Sequence, residues 1–226
     1  MLHDFTLLAR EWCRDQSAIL LGFVWNAYDQ MLADNPPIDS ADLERSITER
    51  LVPRITRAMS GDEPFYAHHE PKERETRKSH RGQPPEYDLA FVLWIDETVM
   101  WPLEAKVLET PAKVSEYVDA LRERFLKCKY APFCSEGAML GYLLSGSPFD
   151  AFKNIAAAVP CLLIDHPSFA LRPHKMSEHV RIIPEGKSYP PNFLCHHLIL
   201  ELPTLKRSLD QHLHVPLRPP GPRNTR

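Results

Sequence analysis

The sequence predicts an α/β protein with a central mixed β-sheet flanked by helices. Three observations lead to this prediction. Two helical periodicities precede residue 60, strand-like segments cluster between residues 87 and 144, and further helical segments alternate with them. At 226 residues the chain has the size of one compact domain. We assign residues 1–215 to that domain and the Pro/Gly/Arg-rich residues 216–226 to a disordered tail.

The composition is that of an ordinary globular protein. The net charge of −3 argues against a protein whose whole surface binds nucleic acid, although a local basic groove stays compatible with it. The sequence has no membrane-span or signal-peptide pattern, so no membrane partner is expected. The five cysteines are scattered, and none forms a C-x-x-C pair. We therefore expect no disulfide framework and a cytoplasmic location.

Two helices are predicted before residue 60. Residues 5–32 carry apolar side chains at helical spacing, and Asn35-Pro-Pro37 ends the run. Residues 41–59 form the second helix, with Ser40 as its N-cap and Pro53 expected to kink or split it. The apolar stripe of this helix consists of Leu43, Ile47, Leu51, Ile55 and Met59.

The middle of the chain predicts a loop followed by two strands. Residues 60–85 are polar and dense in mixed charge, which favours an exposed loop. Residues 87–95 are rich in β-branched and aromatic side chains and predict a strand. After a turn at residues 96–98, residues 99–108 predict the next strand. Pro102 within it requires a bulge or an edge position, because proline lacks a ladder donor.

The remaining elements follow from the same patterns. A helix is predicted from Pro111 to about Lys129, a strand over residues 136–144 and a short helix over residues 149–159. Residues 165–192 are expected to be irregular, and residues 193–202 predict a late strand.

Charged side chains inside the apolar strand 101–108 point to a functional site. Glu104 and Lys106 lie two residues apart and therefore share one face of the strand. Asp88 stands at the head of the preceding strand and lies beside Glu104 if the two strands pair as a hairpin. Two close carboxylates need a cation between them, and oxygen ligands suit Mg²⁺ or Mn²⁺. The backbone carbonyl of Ala105 adds a further candidate ligand.

The motif E-x-K is short, and the chain contains it three times. The other two copies, Glu70-Pro-Lys72 and Glu185-Gly-Lys187, carry a strand-breaking residue and lie in polar sequence. Only Glu104-Ala-Lys106 lies in an apolar strand with an aspartate at the head of the strand before it. A surface Glu–Lys pair on an edge strand, with Asp88 ending a turn, stays open as the alternative.

The order of a helix, Pro85-Glu-Tyr-Asp88, Glu104-Ala-Lys106 and another helix resembles the PD-(D/E)xK phosphodiesterase superfamily, with its restriction-endonuclease-like fold. The resemblance covers about residues 40–145, and the proline lies three residues upstream of the aspartate instead of next to it. It implies that Asp88 and Glu104 bind the metal and that Lys106 assists the attacking water.

The resemblance also implies an additional metal-binding acid on the preceding helix. Glu44 is the first choice and Glu49 the alternative, and a solvated helix acid is an equally good interpretation of either. The implied activity is that of a Mg²⁺-dependent endonuclease or exonuclease acting on DNA, in restriction, phage defence or repair. An RNA-directed nuclease, or an inactive nuclease-fold scaffold or partner subunit, stays open.

The helix after the motif supplies candidates for nucleic-acid binding. Lys113 and Tyr117 lie one turn apart, and a basic run follows them. The predicted contacts are Lys113, Tyr117, Arg122, Lys127 and Lys129, with Arg124 in the same run. A solvated helix face, with Tyr117 in the core, is the alternative. The resemblance further favours a homodimer or a partner protein, because cutting two strands takes two sites.

Two other patterns are set aside. His196 and His197 next to Cys195 suggest zinc, but adjacent residues of a strand lie on opposite faces and share one ion poorly. Ser177-Glu-His179 is interpreted as a hydrogen-bonded loop. The chain has neither a glycine-rich phosphate loop nor a G-x-S-x-G motif.

Overall fold

The computed structural model describes residues 16–77, 79, 82–203 and 205 and shows one seven-stranded mixed sheet flanked by helices. The strands are β1 (Phe65–His69), β2 (Leu89–Leu93), β3 (Asp96–Leu108), β4 (Glu136–Leu143), β5 (Ile164–Asp165), β6 (His174–Val180) and β7 (Asn192–Glu201). The helices are α1 (Ser17–Asp34), α2 (Leu43–Ala58), α3 (Ser115–Ala120) and α4 (Pro148–Ala158). A π-helical turn (Leu121–Phe125) continues α3, and Pro167–Phe169 form a 3₁₀ turn.

The strand order in the sheet is β1-β2-β3-β4-β7-β6-β5. Strands β1, β2 and β3 form an antiparallel meander, whereas β3, β4 and β7 run parallel to one another. Strands β6 and β5 complete the sheet in antiparallel pairing. Parallel neighbours need a crossover connection, and the segment that contains α3 supplies it between β3 and β4.

Helices cover both faces of the sheet, and two adjacent histidines of β7 show this. The ring of His196 meets His174, which accepts a hydrogen bond from Trp25 of α1. The ring of His197 meets the hydroxyl of Tyr117 on α3. Because neighbouring residues of a strand lie on opposite faces, α1 and α3 pack on opposite sides of the sheet. This geometry agrees with the prediction that His196 and His197, as neighbours on one strand, are poorly placed to bind the same ion.

The predicted helices lie close to the observed ones. The first is described from Ser17 to Asp34, and Asn35 ends it in the left-handed conformation. Residues 5–15 of that prediction, and the predicted tail at 216–226, lie outside the described residues. The predicted stripe of α2 is confirmed at Ile47, Leu51 and Ile55, all of which are fully buried.

Two details of the helix predictions are wrong, and of the kink or split predicted at Pro53 the split does not occur. The N-cap of α2 is Asp42 and not Ser40, because residues 40 and 41 form a turn ahead of the helix. Pro53 does not split α2, since it lies on the exposed side, where water can hydrate the carbonyl left without a partner. The third helix begins at Ser115 instead of Pro111, because the backbone closes a turn between Thr110 and Lys113.

Two strands lie in segments that the sequence predicted to be irregular. Strand β1 lies within residues 60–85, and β6 lies within residues 165–192. Strand β1 ends in two adjacent histidines, β6 consists mostly of polar side chains, and neither shows a regular apolar alternation. Pairing to the apolar strands β2 and β7 holds them in the sheet.

The β2–β3 hairpin turns at residues 94 and 95, two residues earlier than predicted, and its register shifts between Val92 and Leu93. Pro102 pairs with Ala90 on one side, and the parallel ladder to β4 begins only at Leu103. The proline therefore occupies a part of β3 that is paired on one side alone, which is the edge-like position that the sequence required.

Among the described residues, no helix has the length and apolar character needed to cross a membrane. Cys128, Cys161 and Cys195 carry free thiols, whereas Cys134 is disulfide-bonded. The expectation was of no disulfide framework, and a single disulfide-bonded cysteine among the described residues does not make one. Because such bonds are uncommon in a reducing cytoplasm, the cysteines give no support to a cytoplasmic location.

His197 is fully buried and hydrogen-bonded on both ring nitrogens. Its Nδ1 lies 2.9 Å from the Tyr117 hydroxyl, and its Nε2 lies 2.7 Å from the Ser177 hydroxyl. Burial, together with the neighbouring His179 and His196, lowers the pKa of His197 to about 3. The ring is therefore neutral in the folded protein at physiological pH.

We expect the free energy of unfolding to fall as the pH drops below about 6.5, because His197 binds a proton in the unfolded protein and stays neutral in the folded one. For His197 alone the slope is up to about 1.4 kcal/mol per pH unit between pH 6.5 and pH 3. Urea unfolding of the wild type and of His197→Gln between pH 7.5 and pH 5 measures it. The variant should show a smaller slope, whereas His68→Gln, an exposed control, should match the wild type. Equal slopes in all three proteins would contradict the prediction.

Candidate active site

Three carboxylates and one lysine from distant parts of the chain meet beside β3. The Nζ atom of Lys106 lies 2.6 Å from Glu44 Oε1, 2.9 Å from Glu104 Oε1 and 3.8 Å from Asp88 Oδ2. Glu104 and Lys106 belong to β3, Asp88 immediately precedes β2, and Glu44 lies in the first turn of α2. The structure therefore brings together all four side chains that were predicted for the metal and catalytic roles.

The strand register positions this cluster. Pairing of Leu89 with Leu103 places Asp88 alongside the following residues of β3. Asp88 Oδ2 accepts a hydrogen bond of 2.7 Å from the backbone N–H of Ala105, and Lys106 Nζ donates to the carbonyl oxygen of Ala105. The peptide groups on both sides of Ala105 thus fix the orientation of the aspartate and of the lysine.

Exposure increases across the cluster from one end to the other. The side chain of Glu104 is 0% exposed and that of Lys106 is 11% exposed, whereas Asp88 and Glu44 reach 27% and 31%. Glu104 therefore lies at the bottom of the site, and Glu44 and Asp88 line its opening to solvent.

Burial and charge oppose each other in the cluster. Burial and the Asp88 carboxylate raise the pKa of Glu104 to about 7, against the opposing effect of the Lys106 and Arg124 cations. Burial likewise raises the pKa of Glu44. For Lys106, burial favours the neutral amine, but the carboxylates of Glu104 and Asp88 outweigh it and raise the pKa. Lys106 is therefore an ammonium ion at neutral pH.

Arg124 is a further member of the cluster that the sequence did not single out. Its guanidinium Nη1 donates to Glu104 Oε1 and lies 3.0 Å from the hydroxyl of Tyr130. The sequence showed Arg124 only as part of a basic run. Its contact with Glu104 depends on the π-helical turn, and nothing in the residue spacing predicted that turn.

One oxygen of the cluster has no partner within the described part of the chain. Glu104 Oε2 is buried and makes no hydrogen bond to any described residue. A buried carboxylate oxygen without a partner is destabilising by about 1–3 kcal/mol or more, and a bound cation would satisfy it. The oxygens of Asp88 and Glu104 and the carbonyl of Ala105 are hard donors of the kind that Mg²⁺ and Mn²⁺ prefer.

The cation at the centre of the three carboxylates is the ammonium of Lys106. Within the described residues, no three acidic side chains bring one oxygen atom each within 4.8 Å of one another. A divalent ion that binds Asp88 and Glu104 must therefore compete with Lys106 and Arg124 for the same oxygens.

The other predicted residues lie apart from the cluster. Glu49, the alternative to Glu44, is half exposed and pairs with Arg45 at 3.1 Å. Lys113 is exposed in the turn before α3. Tyr117 is fully buried, with its hydroxyl on His197, so it is a core residue and not a nucleic-acid contact.

The basic run does not form a patch beside the carboxylates. Arg122 donates to the carbonyl oxygen of Ala158, and Lys127 and Lys129 both pair with Glu123. This geometry corresponds to the solvated helix face that was the alternative interpretation. Arg124 alone of the run reaches the cluster.

A second cluster consists of His166, His174 and His196. One ring nitrogen of each lies within 4.8 Å of the others, and all three side chains are buried. Imidazole nitrogens suit zinc and not Mg²⁺, so the spacing is that of a possible zinc site. His196 Nε2 also faces Glu136 Oε2 at 3.5 Å.

Hydrogen bonds to two of these rings favour a metal-free cluster. Trp25 Nε1 donates to His174 Nδ1 at 3.3 Å, and the backbone N–H of Ser168 donates to His166 Nδ1 at 3.1 Å. In a neutral ring the proton must then lie on Nε2, which removes the lone pair that a metal needs. His174 Nε2 is placed to donate to His196 Nδ1 at 3.3 Å. We therefore interpret His166, His174 and His196 Nδ1 as parts of a buried hydrogen-bonded network, whereas His196 Nε2 makes no hydrogen bond to any described residue.

Comparison of the chain with protein-family models, with curated proteins and with solved structures finds no match. The site is consequently described by its own geometry alone.

Replacing Lys106 by methionine should lower the free energy of unfolding by about 3 kcal/mol at pH 8, because the buried Glu104 and the partly exposed Glu44 lose the cation between them. The loss should shrink at pH 6, where Glu104 takes up a proton and no longer needs a counter-charge. Urea unfolding at both pH values measures this difference.

Lys127→Met is the matched control, since it removes an exposed lysine that pairs with Glu123 and should change stability much less. An equal loss in the two variants, or a loss in Lys106→Met that does not depend on pH, would contradict the electrostatic role of Lys106.

Proposed function

We propose that this chain is a metal-dependent nuclease of restriction-endonuclease-like fold that hydrolyses phosphodiester bonds of DNA. One observation carries the proposal: Asp88, Glu104 and Lys106 meet in a single cluster with Glu44, although the chain separates them by up to 62 residues. The mixed sheet with helices on both faces is compatible with the proposed fold. Restriction, phage defence and repair are the contexts that such an activity would serve.

Asp88 and Glu104, with the carbonyl of Ala105, would hold Mg²⁺ or Mn²⁺, and Glu44 would complete the set from α2. The unpartnered Glu104 Oε2 and the all-oxygen donors support this fit. When bound, the ion would supply Lewis-acid stabilisation of the phosphate and activation of water.

The residues of the chain would contribute positioning and charge. The hydrogen bond from Ala105 N–H holds the Asp88 carboxylate toward Glu104. Lys106 stays protonated, since the neighbouring carboxylates raise its pKa. Its role is therefore to donate hydrogen bonds and to balance negative charge on the phosphate, and not to remove a proton from water.

Substrate binding needs more than this chain offers around the cluster. The net charge is −3, and among the described residues of the basic run only Arg124 reaches the site. A homodimer or a partner protein would supply the remaining contacts and a second site for the opposite strand. The same metal chemistry would also serve an RNA substrate.

An inactive scaffold is the second candidate, and one observation favours it. Lys106 and Arg124 already neutralise much of the charge on Glu104 without any metal. The cluster would then stabilise the hairpin of β2 and β3 as a buried ion-pair network.

Incubation of the protein with supercoiled plasmid, linear duplex DNA, single-stranded DNA and single-stranded RNA in Mg²⁺ or Mn²⁺ should show metal-dependent cleavage of DNA. The plasmid separates internal nicking from digestion at ends. Asp88→Asn, Glu104→Gln and Lys106→Met should each lower the rate about 100-fold or more, which is the scale of losing one electrostatic stabiliser.

Glu44→Gln and Glu49→Gln form a matched pair on α2, because only Glu44 contacts Lys106. We expect reduced cleavage for the first and wild-type cleavage for the second. Undiminished cutting by both Asp88→Asn and Glu104→Gln would overturn the site. A wild-type protein that cuts none of the four substrates would overturn the nuclease and favour the scaffold.

A further inference from the structure

Arg124 has an unusual position at the edge of the carboxylate cluster. Its guanidinium donates to Glu104 Oε1 and lies with its central carbon 5.3 Å from the centre of the Tyr130 ring. The side chain is 38% exposed, so it contacts a fully buried carboxylate while part of it stays open to solvent.

A local departure from α-helical geometry places Arg124 there. Residues Leu121–Phe125 form a π-helical turn after α3, with Leu121 and Phe125 buried on either side of Arg124 in sequence. Such turns are rare and often occur at functional sites. The carbonyl of Arg124 accepts a hydrogen bond of 2.8 Å from Tyr130 N–H, so Tyr130 holds both the backbone and the side chain of the arginine.

Tyr130 itself is anchored to the segment that carries Asp88. Its hydroxyl donates to the carbonyl oxygen of Glu86, two residues before the aspartate. The Tyr130 contacts therefore fix the guanidinium, which contacts Glu104, relative to the segment that carries Asp88, although Arg124 lies in a different layer of the fold.

Glu104 Oε1 is shared by two cations. It lies 2.9 Å from Lys106 Nζ and also accepts from Arg124 Nη1. A divalent ion that binds Glu104 competes with both of them. Lys106 also donates to Glu44 Oε1 and to the Ala105 carbonyl, and each of these groups has a further acceptor position that an ion can use, so Lys106 can keep both partners. Arg124 keeps only Tyr130 among the described side chains that it contacts.

We propose that Arg124 binds the substrate phosphate and that its contact with Glu104 is the metal-free resting state of that residue. The inference rests on the proposed nuclease function. A guanidinium is planar and has five N–H donors, and it matches the paired oxygens of a phosphodiester better than a lysine does. Once Glu104 binds a divalent ion, the exposed guanidinium at the opening is free to donate to a non-bridging phosphate oxygen.

If Arg124 has this role, the substitution Arg124→Met should change the Mn²⁺ affinity and the cleavage rate in opposite directions. Arg124→Met removes a competing cation from Glu104, so the affinity for Mn²⁺ should increase by roughly tenfold. The same substitution removes a phosphate ligand, so the rate of DNA cleavage at saturating Mn²⁺ should fall by about 100-fold. A purely structural arginine would lower the metal affinity and the rate together.

The metal arm uses calorimetric titration of Mn²⁺ into metal-free protein at pH 8, for the wild type, Arg124→Met and Arg122→Met. Arg122 is the matched control on the same turn, because it donates to Ala158 O and does not contact the cluster. Its substitution should leave the Mn²⁺ affinity unchanged. Lower or unchanged Mn²⁺ affinity in Arg124→Met would overturn the competition.

The substrate arm measures kcat and KM for a fluorescein-labelled DNA duplex at saturating Mn²⁺. Arg124→Lys should recover part of the lost activity, since it keeps the charge and loses the fork of donors. Cleavage by Arg124→Met at the wild-type rate would overturn phosphate binding. If the wild type binds Mn²⁺ and cleaves nothing, the nuclease proposal and the phosphate role fail, while the titration still reports the competition at Glu104.

Discussion

The site depends on one buried carboxylate, which the fold must pair with positive charge. Glu104 is in the centre of the sheet, fully removed from solvent, and an ionised carboxylate there is unfavourable without nearby positive charge. Lys106 from the same strand and Arg124 from the π-helical turn provide that charge. Lys106 in turn is held by Glu44 and by the Ala105 carbonyl. The positions of α2, of the hairpin and of the turn after α3 are thus linked through Glu104.

The parts of the fold that the sequence predicted are those with a strong local pattern. Strand β2 is entirely apolar, β4 is apolar after Glu136, and β7 carries apolar residues on both sides of its two histidines. The stripe of α2 repeats at helical spacing. Each of these elements therefore carries its own signal. Strands β1 and β6 carry no such signal, since their histidines, and the charged residues of β6, are held in place by pairing to neighbouring strands. Their structure is determined by contacts between distant segments, which a local pattern does not contain.

The candidate site likewise contains some residues that the sequence predicted and others that it did not. Glu104 and Lys106 were accessible to sequence reasoning because two charges in an apolar strand demand an explanation, and Asp88 followed from hairpin pairing. The role of Arg124 could not be predicted from the sequence, because its contact with Glu104 requires five residues of π-helix whose composition resembles that of any helix. Tyr117 was misplaced for a related reason, since an aromatic residue on a helix packs equally well into a core or over a groove until the facing strand is known. Here the facing residue is His197.

The graded exposure of the cluster has a consequence for ion selectivity at the proposed metal site. An ion that enters this site from solvent would meet Glu44 and Asp88 while it keeps most of its water, and contact with Glu104 would require it to lose part of that shell. Mg²⁺ loses its bound water at a high cost in free energy and requires nearly octahedral coordination, whereas larger ions dehydrate more easily. The depth of Glu104 would therefore act as a filter on hydration energy, and the outer carboxylates would attract divalent ions without distinguishing among them.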